Sequence, residues 1–404
     1  MVKDTTCPSH GVEFGEEEME EVMKQLIEGQ HLLVNLGEDI PAGTPPWFDE
    51  KKFEAGKQFV KKYYGGIFFC HLVSLIMMLY SPQVLKPLIF TEKSETPKKS
   101  YRRYISTSIH VMSWYMGDMW QADSKARRSL RLVRQYHTDA ATRLNSVEIR
   151  PSVDNTEITK CGLPLHRGQP ILEVLQKDFS SIPNCPFLSQ LNGSYKNANA
   201  FPVEQIPYLN QVVDMSGTQF AFMGLVLLHP EKFGISRATE RELEGFVHIW
   251  RCIGWILGID DRFNFCRLDS LPQARRWTRY FADKLVCPSM KMSVTAEYEH
   301  MGRAVADGAR CYTGISYETF YLFIAWVLGL PMPQLEKHAS LADTLSFRKL
   351  TYIFGVIGNL PFGNYLINGI HYLTLKLIID PPRFWPKRFR PPMIKGLKEF
   401  WVHT

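Results

Sequence analysis

The stretch ATERELEGFVHIWRCIGWILGIDD, residues 238–261, decides the fold class because it carries the full pattern of a long amphipathic helix. Thr239 and Glu242 have the spacing of an N-terminal capping box. Nonpolar residues recur at helical intervals from Leu243 to Leu257, and Gly258 follows as a helix terminator. No segment alternates polar and apolar residues over several strands, so the sequence predicts an all-α fold.

Two further helices are predicted upstream, over residues 101–120 and 124–145, and a short one over residues 16–28. Apolar side chains in the first recur at helical spacing at Ile105, Ile109, Met112 and Met116. In the second, Leu130, Val133 and His137 fall on adjacent turns.

Composition divides the chain into three regions. Residues 1–45 are acidic and are interpreted as a flexible leader, residues 46–380 as one large helical domain, and residues 381–404 as a basic, aromatic tail. Within the domain, residues 146–203 are rich in Pro, Asn, Ser and Gly, which indicates a long irregular insertion with one helix, ILEVLQKDF.

The overall composition is that of a globular protein, with 45% hydrophobic residues in 404. The formal charge of +6 is spread along the chain and does not predict nucleic-acid binding. The 8 cysteines form no Cys-x-x-Cys pair, which favours buried free thiols in a reducing compartment. The N-terminus lacks the apolar core of a signal peptide, so we expect a cytoplasmic protein.

Three segments bear on membranes. The apolar stretches 65–80 and 352–379 are interpreted as core or amphipathic helices, because the first is short and the second is broken by Gly and Pro. The tail interleaves Lys and Arg with Trp and Phe, which suits peripheral contact with the cytosolic face of the endoplasmic reticulum. A proline-rich tail packed on the protein surface is the alternative.

Four residues on the two upstream helices form the main candidate site. Arg134 and His137 share one helix face at i and i+3, and Arg103 and Thr107 share another at i and i+4. A neutral imidazole is a good haem iron ligand, and arginines bind the haem propionates. The alternative is a half-buried histidine beside surface arginines, and spacing alone leaves both open.

Several motifs together resemble the DUF2236 family, which comprises the MpaB-type ER-bound oxygenases and the latex clearing proteins with their rubber oxygenase catalytic domain. RSLRLVRQYHTDAATRL (128–144) resembles its Arg-x-x-His helix, and Arg103 with Thr107 fills the preceding Arg-x-x-x-Thr pair. PPWFDEKKFEAGKQFV (45–60), IPYLNQVVDMSGTQFAF (206–222) and the 238–261 helix are also similar to family segments.

The resemblance implies a globin-like helical core with one haem b. His137 would be the proximal iron ligand, with Arg103, Thr107 and Arg134 around the haem, and Arg103 and Thr107 in the distal pocket. The expected activity is a haem-dependent oxygenase that uses O₂ on a hydrophobic unsaturated lipid or isoprenoid, with C=C cleavage as one outcome. A non-catalytic haem or hydrophobic-ligand binding protein and a haem-dependent hydroxylase or peroxygenase are the alternatives.

The sequence departs from the family pattern at three places. Ser106 stands where the rubber-cleaving members have a lysine. Pro87 lies near the position of their catalytic glutamate, and Glu92 or Glu95 fits only by a shift, so the general base is unassigned. The 146–203 insertion is longer than in many members and is interpreted as a lid or a partner surface.

Other candidates have structural alternatives. His71 and His110 lie on apolar helices. Each is interpreted either as a distal ligand of the iron or as a core histidine. Trp250 and Arg251 match the family helix, but core packing explains the tryptophan equally well. Asn210 and Gln211 are interpreted as helix bridges or as substrate contacts. The Cys-Pro dipeptides that begin at Cys7, Cys185 and Cys287 are interpreted as chance occurrences of a haem-binding dipeptide.

Overall fold

The computed structural model describes residues 14–34, 39–154, 170–187, 206–268 and 270–379. These ranges contain helices and no β-strand, apart from one isolated bridge between Leu33 and Asn210. The prediction of an all-α, single-domain fold is therefore confirmed, while the globin-like core stays a prediction. The helices are α1 (Phe14–Glu28), α2 (Glu50–Met78), α3 (Pro82–Phe90), α4 (Pro97–Met116), α5 (Lys125–Leu144), α6 (Arg150–Asp154), α7 (Leu172–Phe179), α8 (Gly217–Leu228), α9 (Glu240–Ile256), α10 (Leu271–Phe281), α11 (Cys287–Ser293), α12 (Ala296–Thr313), α13 (Tyr317–Leu328), α14 (Pro333–His338), α15 (Leu341–Gly355) and α16 (Gly363–Ile379).

Local capping signals set the helix ends that the sequence predicts. The Thr239 hydroxyl accepts from the backbone N–H of Glu242, whose carboxylate accepts from the backbone N–H of Thr239, which completes the capping box of α9. Gly258 follows α9 with a φ of 96°, as expected for a terminating glycine. Ser124 caps α5 through the backbone N–H of Arg127.

Helices α2 and α9 form the centre of the core. They pack backbone to backbone, since a Cβ at Gly56 would stand 2.3 Å from the carbonyl oxygen of Gly245. Phe59 of α2 packs on Phe246 of α9, with ring centroids 5.1 Å apart. Only a residue without a side chain permits this approach, so the two glycines set the spacing of the pair.

Helix α2 is broken at Tyr63, and α16 binds to α2 at this break. Tyr63 has non-helical backbone angles (φ −126°, ψ 19°), which frees backbone groups on either side of it. The side-chain amides of Asn364 and Asn368 both donate to the carbonyl of Lys62 at 3.0 Å, and Asn368 Oδ1 accepts from the backbone N–H of Gly65. The two asparagines thereby satisfy the break and fix α16 against α2.

The interpretation of residues 1–45 as a flexible leader is wrong for the part that the structure describes. Helix α1 packs into the core with Met19, Met23 and Leu26 fully or almost fully buried. Its apolar face repeats every three to four residues, and burying that face offsets the entropy of ordering the segment. Residues 1–13 and 35–38 lie outside the described ranges.

The predicted insertion is partly described. Its expected helix is α7, and the buried carboxylate of Asp178 accepts from the backbone N–H groups of Gln334 and Leu335 at 2.9 Å, at the start of α14. The insertion therefore caps helix α14 of the helical domain. Residues 155–169 and 188–205 lie outside the described ranges, as does the tail from residue 380 onwards.

Cysteines and apolar helices follow the expected pattern where they are described. Cys70, Cys185, Cys252, Cys266 and Cys287 are buried free thiols. The stretch 65–80 falls within α2 and its following turn and is largely buried. No single helix of the described ranges is long and apolar enough to cross a membrane, although α2 and α3 together, bent by 93°, meet the length and composition of a broken span.

Candidate functional site

Helices α4 and α5 pack as an antiparallel pair and bring two of the four predicted site residues, Arg103 and His137, near each other. Near one end, His110 Nδ1 lies 2.7 Å from the Ser129 hydroxyl. Near the other end, the charge of Arg103 acts on the imidazole of His137. The antiparallel register therefore places Arg103 opposite His137, as a shared pocket requires.

His137 lies on the buried stripe of α5. Arg127, Leu130, Arg134 and Ala141 on the same stripe are buried, and His137 itself is half-buried. Its Nδ1 is buried and has no hydrogen-bond partner among the residues that the structure describes. Burial lowers the pKa of His137 to about 4, with a further contribution from the positive charge of Arg103. The imidazole is therefore neutral at neutral pH and keeps an unused ring nitrogen, which are the two properties of a metal-binding histidine.

Arg103 and Thr107 differ in their surroundings. Arg103 is half-buried, and its Nη1 donates to the hydroxyls of Thr91 at 3.1 Å and Ser94 at 3.4 Å, in the segment between α3 and α4. Thr107 is exposed, and its hydroxyl donates to the backbone carbonyl of Arg103 at 3.1 Å. Arg103 thus belongs to a polar cluster near His137, whereas Thr107 bonds to its own helix.

Arg134 connects α5 to α9. Its side chain is buried, and Nη1 donates to the carbonyl of Ile256 at 2.8 Å, in the last turn of α9. A guanidinium suits this place because the carbonyls at a helix C-terminus lack intrahelical partners and carry partial negative charge. This contact fixes the helix that carries His137. Propionate binding by Arg134 stays a prediction.

A buried carboxylate lies next to the Arg103 cluster. Glu95 follows Ser94, and its Oε1 pairs with the ammonium of Lys99. Its Oε2 is buried, and no described residue forms a hydrogen bond with it. Burying an unpartnered carboxylate oxygen is costly, so Glu95, which follows the Ser94 that accepts from Arg103, is a candidate proton acceptor. Glu92, the other candidate, is exposed.

His71 and His110 are hydrogen-bonded core histidines. His71 Nε2 donates to the carbonyl of Phe222 at 3.0 Å, and burial lowers the pKa of His71 to about 3. The Ser129 hydroxyl accepts from Trp114 Nε1 at 2.9 Å, which leaves its proton for His110 Nδ1. These bonds favour the core interpretation of both histidines over distal ligation.

His371 of α16 is a residue that sequence reasoning missed. Its Nε2 is buried and has no hydrogen-bond partner within the described ranges, and burial lowers the pKa of His371 to about 4. Its ring stacks on Phe68 of α2 with centroids 5.6 Å apart. The only sequence signal was a histidine in an apolar run, because the partner on α2 is about 300 residues away in the chain.

The residues of the 206–222 and 238–261 motifs are structural. Trp250 is buried, stacks on Phe222 at 4.4 Å, and donates from Nε1 to the Tyr115 hydroxyl at 3.0 Å. Arg251 pairs with Asp261 at 2.7 Å. Core packing therefore accounts for Trp250 without a cofactor.

The Asn-Gln pair bridges segments, as one of its two interpretations predicts. Gln211 Nε2 donates to the carbonyl of Leu33 at 3.1 Å, and its Oε1 accepts from the backbone N–H of Asp260 at 3.0 Å. Asn210 donates from its backbone N–H to the buried Asp214 carboxylate at 3.1 Å. Burial raises the pKa of Asp214 to about 7, which makes it a neutral-range titrating group inside the core.

A haem ligand set fits these residues in part. His137 has the neutral ring nitrogen that would bind the iron, and Arg103 would supply a nearby positive charge for a haem carboxylate. The described residues contain no cluster of three or more His, Cys, Asp or Glu side chains suited to a metal ion, and haem iron needs only one such ligand from the protein. A cavity of about 1090 Å³ lies elsewhere, between α1, α10 and residues 183–186.

Comparison with known proteins identified no relative of this chain. No family model matches the chain, and neither the curated proteins nor the solved structures gave a match.

Proposed function

We propose that the protein is a haem b-dependent oxygenase of the DUF2236 type that acts with O₂ on a hydrophobic unsaturated substrate, a lipid or an isoprenoid. The carrying observation is the half-buried, neutral imidazole of His137, opposite Arg103, whose Nδ1 has no hydrogen-bond partner among the described residues. The ordered motifs that resemble this family support the same assignment.

Haem iron, when bound, would supply the activation of O₂ that protein side chains lack. His137 would ligate the iron as a neutral base, and Arg134 would hold α5 in place through the Ile256 carbonyl. Arg103 would pair with a carboxylate of the haem. Glu95, whose Oε2 has no hydrogen-bond partner in the described part of the chain, would be the candidate general base. Met112 and Met116 of α4 and Val133 of α5 supply apolar contacts on the same pair of helices.

Oxygen uptake by the haem-loaded protein tests this function with polyunsaturated fatty acids and terpenoids as substrates. We expect His137→Ala to abolish turnover and Glu95→Gln to lower kcat by roughly 100-fold or more, the usual loss when a general base is removed. Glu92→Gln is the matched control, because it neutralises an exposed carboxylate three residues away, and it should match the wild type. Retention of two, one or no ¹⁸O atoms from ¹⁸O₂ in the product distinguishes a dioxygenase, a hydroxylase and a peroxygenase.

A non-catalytic haem or hydrophobic-ligand binding protein is the second candidate. The exposure of Thr107 and its hydrogen bond to its own helix favour it, since they leave the distal threonine of the motif turned away from the buried cluster. Haem-loaded wild-type protein that takes up no oxygen with any of these substrates would establish this alternative.

A further inference from the structure

The exposed large apolar side chains are concentrated on the last two helices. Of those in the described ranges, the majority fall between Leu341 and Leu377. The α15–α16 apolar surface is defined by Leu341, Leu345, Tyr352, Val356, Leu360, Phe362, Tyr365, Leu366, Ile370, Tyr372, Leu373 and Leu377. Exposed apolar side chains concentrated in this way on a globular protein mark an interaction site.

Helix α16 has inverted polarity. The side toward α2 carries Asn364, Asn368 and the half-buried His371, together with the buried Ile367. The outward side carries a stripe at i, i+4, i+7 and i+11, formed by Leu366, Ile370, Leu373 and Leu377. On a helix whose outer side contacts only water, the residues of that side are polar. The apolar outer stripe of α16 therefore indicates contact with an apolar partner.

The turn between α15 and α16 carries apolar residues at its tip. Leu360, Pro361 and Phe362 are all exposed, Phe362 at 77%. Phe362 also has a φ of 66°, in the left-handed region that a bulky side chain disfavours. Two unfavourable features at one residue, an exposed phenyl ring and a left-handed backbone, indicate a function for that ring outside the fold.

The exposed charged side chains between Leu345 and Leu377 are basic. Between residues 344 and 379 there is no Asp or Glu, and Arg348, Lys349 and Lys376 are exposed. In the chain that follows, six basic residues stand against Asp380 and Glu399, and they alternate with Phe and Trp: Arg383, Lys387, Arg388, Arg390, Lys395 and Lys398. Basic residues that border an apolar, aromatic surface complement anionic lipid headgroups.

We propose that the α15–α16 apolar surface binds the interface of a membrane that contains anionic phospholipids. The Leu360–Phe362 turn and the outer stripe of α16 enter the boundary between headgroups and acyl chains. Tyr352, Tyr365 and Tyr372 take the amphipathic positions at that boundary. Arg348, Lys349 and Lys376 contact the headgroups. A second copy of the chain, or the chain beyond residue 379 folded back, are the competing occupants.

Flotation with phosphatidylcholine vesicles, with and without phosphatidylserine, tests the proposal on the full chain. The wild type should float with the phosphatidylserine vesicles and only weakly with phosphatidylcholine alone. Replacing three outer residues (Phe362→Asn, Leu366→Gln, Leu373→Gln) should weaken binding by about tenfold or more, since it removes three large apolar groups from the contact. Asn also suits the left-handed backbone at position 362, which protects the fold. Val147→Gln, at an exposed valine elsewhere, should bind as the wild type does.

Two results would overturn the proposal. The first is unchanged vesicle binding by the triple variant together with lost binding by Lys387→Gln/Arg388→Gln/Arg390→Gln, which would assign the contact to the tail alone. The second is no vesicle binding by the wild type at either composition. In that case, a dimer in solution that the triple variant dissociates would identify a second copy as the occupant.

Discussion

Arg103 of α4 lies opposite His137 of α5, and its positive charge adds to burial in keeping the His137 imidazole neutral. The relationship depends on the antiparallel register of the two helices, which the Ser129 contacts of His110 and Trp114 also define. Because Arg103 is itself bonded to the Thr91 and Ser94 hydroxyls, its charge is fixed in place.

Two histidines with buried ring nitrogens, His137 and His371, make the folded protein sensitive to acid. The pKa of His137 and of His371 is about 4 in the folded protein, below the value of 6.5 for an unperturbed histidine. Between these values the unfolded chain binds more protons, so stability is full above pH 6.5 and falls as the pH drops toward 4. Urea unfolding from pH 7.5 to about 5 measures this slope. His371→Phe should reduce it, and an unchanged slope would contradict the burial of His371.

The pH dependence of stability that Asp214 contributes has the opposite sign to that of the histidines. Its pKa is raised from 3.8 to about 7, so the folded protein retains a proton that the unfolded chain loses. Its contribution is present below pH 3.8 and is lost as the pH rises through 7. Asp214→Asn keeps an oxygen acceptor for the Asn210 N–H and removes the titration. The free energy of unfolding of the variant minus that of the wild type should therefore be larger at pH 8 than at pH 5.5. An equal difference at the two pH values would contradict the shift.

The contact between α2 and α9 leaves no room for a side chain. Gly56→Ala would place a methyl group 2.3 Å from the Gly245 carbonyl oxygen, so the helices must separate. We expect a loss of about 2–3 kcal/mol in the free energy of unfolding. Gly369→Ala is the matched control within α16, because nothing lies within 4 Å of its added methyl group. It should gain about 0.5–1 kcal/mol from helix propensity. Equal effects of the two substitutions would contradict the packing.

Arg303 is buried and pairs with two carboxylates, one buried and one half-buried. It pairs with Glu299 at 2.7 Å and Glu318 at 2.9 Å, and Glu299 also accepts from the backbone N–H of Ile171 in the insertion. Arg303→Met should cost about 3–5 kcal/mol, since it leaves buried charges without a partner. Adding Glu299→Gln and Glu318→Gln to that variant should recover part of the loss. Thermal unfolding of both variants measures this, and a loss below 1 kcal/mol for Arg303→Met would be inconsistent with the pairing.

Local signals predicted the helices and their ends, and tertiary contacts decided the rest. The caps at Ser124 and Thr239 lie within four residues of the groups they bind, so they can be read from the sequence. The packing of α1, the asparagines that bond to Lys62 and the position of His371 depend on partners far away in the chain. Composition alone therefore made an acidic segment resemble a leader. Glu95 was ambiguous for the same reason, since only its burial separates it from Glu92.

The absorption spectrum of the protein purified with haem supplied during expression tests the central claim most directly. The wild type should show a Soret band and the ligand-field bands of histidine-ligated haem. His137→Ala should lose that spectrum and regain it with added imidazole, while His371→Ala keeps it. A wild type that binds no haem, or a His137→Ala variant with an unchanged spectrum, would contradict the assignment of His137 as the iron ligand.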